Sequence, residues 1–155
     1  MTHPSGFAAT PDPAPARGGS PRPARSARRR ETGLRVLQAV LALFYVGASA
    51  LPKLIADPSA TESFDAIGFG TWFMYAVGVL ELAGGIALVT PWLAGLAAFA
   101  LIGLMAGAFV VQLTVFDGRY ALTPALFVVP LAVVAWGRRD TVVRLAAVLR
   151  RTGTR

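Results

Sequence analysis

Cysteine is absent from this chain of 155 residues, and histidine occurs once, as His3. Without a thiol the protein cannot form a disulfide, a thiolate nucleophile or a cysteine-ligated zinc or iron–sulfur centre. With its one imidazole near the N-terminus, it offers no histidine set for a metal or a haem, so no metal is expected. Charge is scarce as well. Asp, Glu, Lys and Arg supply 15% of the residues against 55% hydrophobic ones, a balance that excludes an ordinary soluble domain and matches a membrane protein. Acidic residues are the rarer sign, 8 against 15 basic ones. The basic residues flank apolar runs and carry no aromatic interleaving or nucleic-acid motif. They are therefore read as membrane-orientation signals, and no nucleic-acid partner is expected.

Along the chain, residues 1–31 are rich in Pro, Gly, Ser, Ala and Arg and hold almost no large apolar side chain. Such a stretch cannot bury enough surface to offset its ordering entropy, and it reads as a disordered basic tail. Its arginines Arg25, Arg28, Arg29 and Arg30 either orient the chain or meet anionic headgroups. Residues 32–137 form a transmembrane domain, and residues 138–155 a basic tail whose arginines lie opposite Val, Leu and Ala, the pattern of an interfacial helix.

The first apolar run, Leu34 to Leu51, makes roughly 27 Å of helix, enough to cross a hydrocarbon layer about 30 Å thick. It is longer than a signal-peptide core and lacks a small-residue cleavage site, so it is expected to stay attached. Between it and the next span, Asp57 suits a helix cap, Pro58 a first helical position and Gly68 an exit. A short extramembrane helix follows from those three, with Phe64 and Ile67 on one face. The second span, about Gly70 to Val89, stops at Thr90-Pro91, and the third, Trp92 to Phe116, must return as an antiparallel hairpin. The fourth, Ala121 to Trp136, is the shortest and carries Pro124 and Pro130, the latter predicting a kink. Trp72, Trp92 and Trp136 stand at span ends, as an aromatic belt requires.

All but Lys53 and Arg119 of the 15 cations lie on one side of this arrangement. The expectation is an all-α integral membrane four-helix bundle with both termini cytoplasmic, in the bacterial inner membrane.

Glycines at helical spacing mark expected contacts. Gly95, Gly103 and Gly107 on the third span, and Gly78 and Gly85 on the second, are read as faces where another helix backbone comes close. The second span also carries Glu81, roughly 13 Å from its outer end and near the bilayer midplane. A carboxylate there must face other helices and be neutral or paired. Lys53 is the nearest cation in sequence, but equal span ends leave it roughly 13 Å away in depth unless the chain turns inward at Pro52. Tyr45, Ser49 and Gln112 are the other candidates to hydrogen-bond Glu81, and a neutral acid is favoured over the ion pair.

The combination Phe44-Tyr-Val-Gly-Ala-Ser-Ala-Leu-Pro-Lys-Leu54, Phe69-Gly-Thr-Trp and Gly78-Val-Leu-Glu-Leu-Ala-Gly-Gly85, followed by a proline-terminated hairpin, resembles the DoxX-like family over about Leu34 to Gly137. The resemblance implies a small four-helix membrane protein in which Lys53 and Glu81 match the family's lysine and glutamate. It also implies a link to thiosulfate and quinone chemistry or to assembly factors, and without cysteine the thiol chemistry has no residue here. The first reading is a non-enzymatic accessory or assembly subunit with the bilayer and a membrane-protein partner or a second copy around it, and no cofactor. The alternative is a redox subunit that binds a quinone near Glu81. A small-solute transporter is the third, disfavoured because no inverted repeat is visible.

Overall fold

The computed structural model describes residues 22–143 and residue 147. Most of the predicted N-terminal tail and of the predicted interfacial helix beyond residue 143 lie outside the described residues. Inside them, helix begins earlier than composition suggests. α1 spans Arg22–Leu43, so the last residues of the expected tail are its first turns.

α1 runs without a break into a π-helical stretch, Phe44–Ala50, and then into α2, Leu51–Leu54. The widened pairing shows at Leu51, whose N–H donates to the Val46 carbonyl five residues back. Pro52 has no N–H to return to Ala48, and it falls in the first turn after the π stretch, where a missing donor costs least. The helical rod therefore runs on through Pro52 to Leu54.

Ala56, at φ 53°, turns the chain into α3, Pro58–Ile67. The cap is the expected one. The Asp57 carboxylate accepts from the Ser59 hydroxyl at 2.6 Å and from its N–H at 3.0 Å, which holds that carboxyl below its usual range. Gly68 closes α3 at φ 83°, a conformation open to glycine at little cost.

α4 (Thr71–Val89) and α5 (Ala94–Thr114) form the predicted hairpin, and Asp117 and Gly118, both at positive φ, turn the chain into α6 (Leu122–Gly137). Pro130 lies inside α6. The α1–α2 rod packs along α4, α4 on α5 and α5 on α6, while α6 returns to the rod through Phe127 stacked on Phe44 at 4.2 Å between centroids. The common core is small, with Tyr45, Leu88, Ala98, Leu131 and Val134 fully buried.

Three helices are long and apolar enough to cross a membrane: Ser26–Leu54, Thr71–Val89 and Ala94–Thr114. Only 28%, 28% and 33% of their most apolar windows is buried, so most of that surface faces outward, which water would penalise and lipid does not. α6 is as apolar but only 16 residues long. No strand occurs among the described residues.

The glycines divide into two kinds. A Cβ at Gly85 would sit 2.9 Å from Val46, at Gly78 3.0 Å from Lys53, and at Gly95 2.7 Å from the Arg138 carbonyl, so these three are close approaches. Gly84 against Leu101 and Gly137 against Leu34 are equally tight, and the helical spacing alone did not single them out. Gly103 and Gly107 are different. A Cβ at either would meet nothing within 4 Å, and the packing seam expected there is a hollow.

Candidate functional site

Lys53 and Glu81 meet. The Lys53 ammonium donates to Glu81 Oε2 at 2.7 Å, with the lysine side chain 17% exposed and the carboxylate 4%. The same ammonium donates to the Ser49 carbonyl at 2.8 Å and reaches the Ser49 hydroxyl at 3.4 Å, so its three protons are all directed. This overturns the preference for a neutral Glu81 bonded to Tyr45, Ser49 or Gln112. The error was one of depth. The rod ends lower than α4 begins, and the Lys53 Cβ lies 3.0 Å from where a Gly78 Cβ would be, one helical turn from Glu81. α3 and its flanking turns make up the missing height, so no inward turn at Pro52 is needed.

Ser49 holds the lysine instead of the acid. Tyr45 is completely buried, and neither its hydroxyl nor the buried Gln112 Oε1 has a hydrogen-bond partner among the described residues. Among the described residues only Lys53 donates to Glu81.

Beside this pair lies a cavity of about 420 Å³ between α4 and α5. Its origin is visible in the hairpin. Near the turn, Gly84 seats the Leu101 side chain and brings the helices together. Farther out, α5 presents Gly103 and Gly107 toward Glu81 and Val77, and with no side chains to fill the gap it stays open. Phe64 and Ile67 of α3 line it together with Phe73 and Phe116, so that face of α3 lies against the ends of the spans. Phe64 packs on Phe73 at 5.7 Å, and Phe116 and Tyr120 complete an aromatic rim. Gln112 lines the wall, so Glu81, Lys53 and Gln112 share one cavity although no bond joins Gln112 to the pair. Among the described residues no cluster of three acids or imidazoles offers a metal site.

A second polar cluster, at the opposite end, was missed by the reading of single residues. Gln38, 4% exposed, donates to the Leu88 carbonyl at 2.6 Å, an acceptor orphaned because α4 stops before Pro91. Arg138 then donates to Gln38 Oε1 at 3.0 Å and to Glu31 Oε1 at 2.9 Å, tying α1, α4 and the end of α6 together. The only sequence signal was a glutamine inside an apolar span; its arginine lies 100 residues away.

Long apolar helices with outward apolar surface, and a charged pair enclosed among them, define a helical membrane protein. Within that class the chain belongs to the DoxX-like family, whose model matches residues 36–135 and so takes in both Lys53 and Glu81. No curated protein and no solved structure matches the chain.

Proposed function

We propose that this protein is a multi-pass subunit of the bacterial inner membrane, crossing four times with both termini cytoplasmic, which holds a small neutral molecule of the quinone class in the cavity beside Glu81. The observation that carries this reading is the cavity itself: about 420 Å³, within the range of small-molecule sites. Its one end is charged but internally balanced by Lys53 and Glu81, which suits an uncharged head. Its walls are apolar, and Phe73, Phe116 and Tyr120 offer ring faces. The Lys53 donors are already directed, while the lining offers acceptors at Glu81 and Gln112 Oε1 and donors at the Gln112 amide nitrogen and the Tyr120 hydroxyl, so a group that both donates and accepts suits them. A hydroxyl-bearing hydroquinone satisfies them better than the oxidised ring does. Any proton released by such a ring would pass to Glu81 as the nearest base.

One observation favours the second reading, an accessory or assembly subunit without chemistry. Lys53 and Glu81 satisfy one another and fasten the first span to α4 with no ligand present. Organic extraction of the full-length protein purified in mild detergent separates the two. A bound quinone or quinol near one per chain supports the first. An extract with none, together with unchanged membrane redox activity on deletion of the gene, leaves the second. The topology is tested independently by a reporter fused after Arg155, expected on the cytoplasmic side.

A further inference from the structure

A groove of about 680 Å³ runs down the outside of the molecule at its basic end, between α1 and α6. Gly33, Leu34 and Leu37 form one wall and Val129, Ala132 and Val133 the other, so most of its length is apolar. It exists because both helices are cut back there. A Cβ on Gly33 would meet nothing within 4 Å, and Gly137 lets Leu34 come so close that a Cβ would lie 2.7 Å from it.

The upper end of the groove is not apolar. Arg30 lines it, exposed, and its guanidinium meets no partner among the described residues. Beside it Arg139 lies 5.0 Å over the Trp136 ring, and Trp136 lines the groove too. Glu31, the nearest acid on α1, is taken up by Arg35 and Arg138, and Asp140 is the acid that remains near this end. On α6 the groove extends from Val128 to Gly137, a rise of roughly 14 Å, close to half of a hydrocarbon layer about 30 Å thick. Its length matches one leaflet, its polar end stands at the ends of the apolar helices where headgroups would meet it, and the charge there is positive.

We infer that this groove is a binding site for an anionic phospholipid, one acyl chain lying between α1 and α6 and the phosphate held by Arg30 and Arg139. Arginine suits the phosphate because its planar fork donates two bonds at once. The site does not depend on which side of the membrane the basic end faces, nor on the cavity beside Glu81.

The test uses full-length protein in a neutral detergent, with native mass spectrometry reading retention of phosphatidylglycerol against phosphatidylcholine of the same acyl chains. The parent is expected to retain phosphatidylglycerol at least five-fold better. Arg30→Gln should remove most of that preference. Ala132→Phe and Gly33→Leu, both at exposed positions, should fill the groove and lower retention of phosphatidylglycerol while keeping every arginine. Arg28→Gln, outside the groove, should behave as the parent. Parent-like retention in both filled variants would mean diffuse attraction to the basic arms, and would overturn the assignment. So would loss of a dimer, and not of lipid, in those variants, which would make the groove an interface between copies of this chain.

Discussion

The two ends of this protein solve the same problem differently. At the basic end, Gln38, Arg138 and Glu31 link three segments, and Gly84, Gly95 and Gly137 each bring a neighbouring segment within 2.7 Å of where their Cβ would be. Polar groups and close backbones coincide, and every buried group in the cluster has a partner. At the α3 end, Lys53 and Glu81 link two segments just as directly, but the glycines opposite them, Gly103 and Gly107, face open space. Two buried polar atoms nearby, the Tyr45 hydroxyl and Gln112 Oε1, have no partner among the described residues. An unpaired buried polar group costs about 1–3 kcal/mol, and Gln112 carries that cost on the cavity wall itself, which helix packing alone does not require. The basic end is a clasp, and the α3 end is a clasp with room for a guest.

The largest expected effect lies at the pair. Removing one partner of a buried ion pair costs about 3–5 kcal/mol, because the other charge stays buried. Glu81→Gln should therefore melt well below the parent in detergent, and Lys53→Met in the same chain should recover part of the loss. Single and double variants that add within about 0.5 kcal/mol would mean the two side chains do not act as a pair.

At the clasp, Gly95→Leu forces a side chain against the Arg138 carbonyl, an overpacking worth about 1–3 kcal/mol. Gln38→Leu strips the Leu88 carbonyl of its donor and takes an acceptor from Arg138, at a similar cost of about 1–3 kcal/mol. Thermal melts of both variants check this, and parent-like melting would erase the contrast between the ends.

Gly107→Leu sharpens the comparison from the other side. The same substitution that should wreck Gly95 has space to occupy at Gly107 and should shift stability by no more than about 0.5 kcal/mol. The smallest effect belongs to the Asp57 cap of α3. Its carboxyl is held below its usual 3.8 by the Ser59 bonds, so the cap contributes at neutral pH and is lost as pH falls through the lowered value. Proteolysis within residues 55–70 should quicken only at that acidic end, and Asp57→Ala should make it pH-independent.

Much of this molecule can be read from sequence because membrane helices advertise themselves. The apolar runs, the Asp57-Pro58 start of α3, its Gly68 stop and the identity of Lys53 and Glu81 are all local signals. What could not be read is relative height and filling. The spacing of residues along two helices says nothing about how far one slides past the other, and the 10-residue α3 allowed the first rod to end below the start of α4. Gly85 and Gly107 look alike in sequence, and only the neighbours decide that one touches Val46 and the other touches nothing. The Gln38–Arg138 contact spans 100 residues and carries no motif at all.

The claim that the α3 end is built around a guest is tested most directly by melting the parent and Gly107→Leu with and without a short-chain hydroquinone. A ligand that binds only the folded protein raises stability by about 2.7 kcal/mol at a hundred times its Kd. The account predicts a raised Tm for the parent and none for Gly107→Leu, with the two melting alike when no ligand is added. An equal rise in both, or none in the parent, would contradict it.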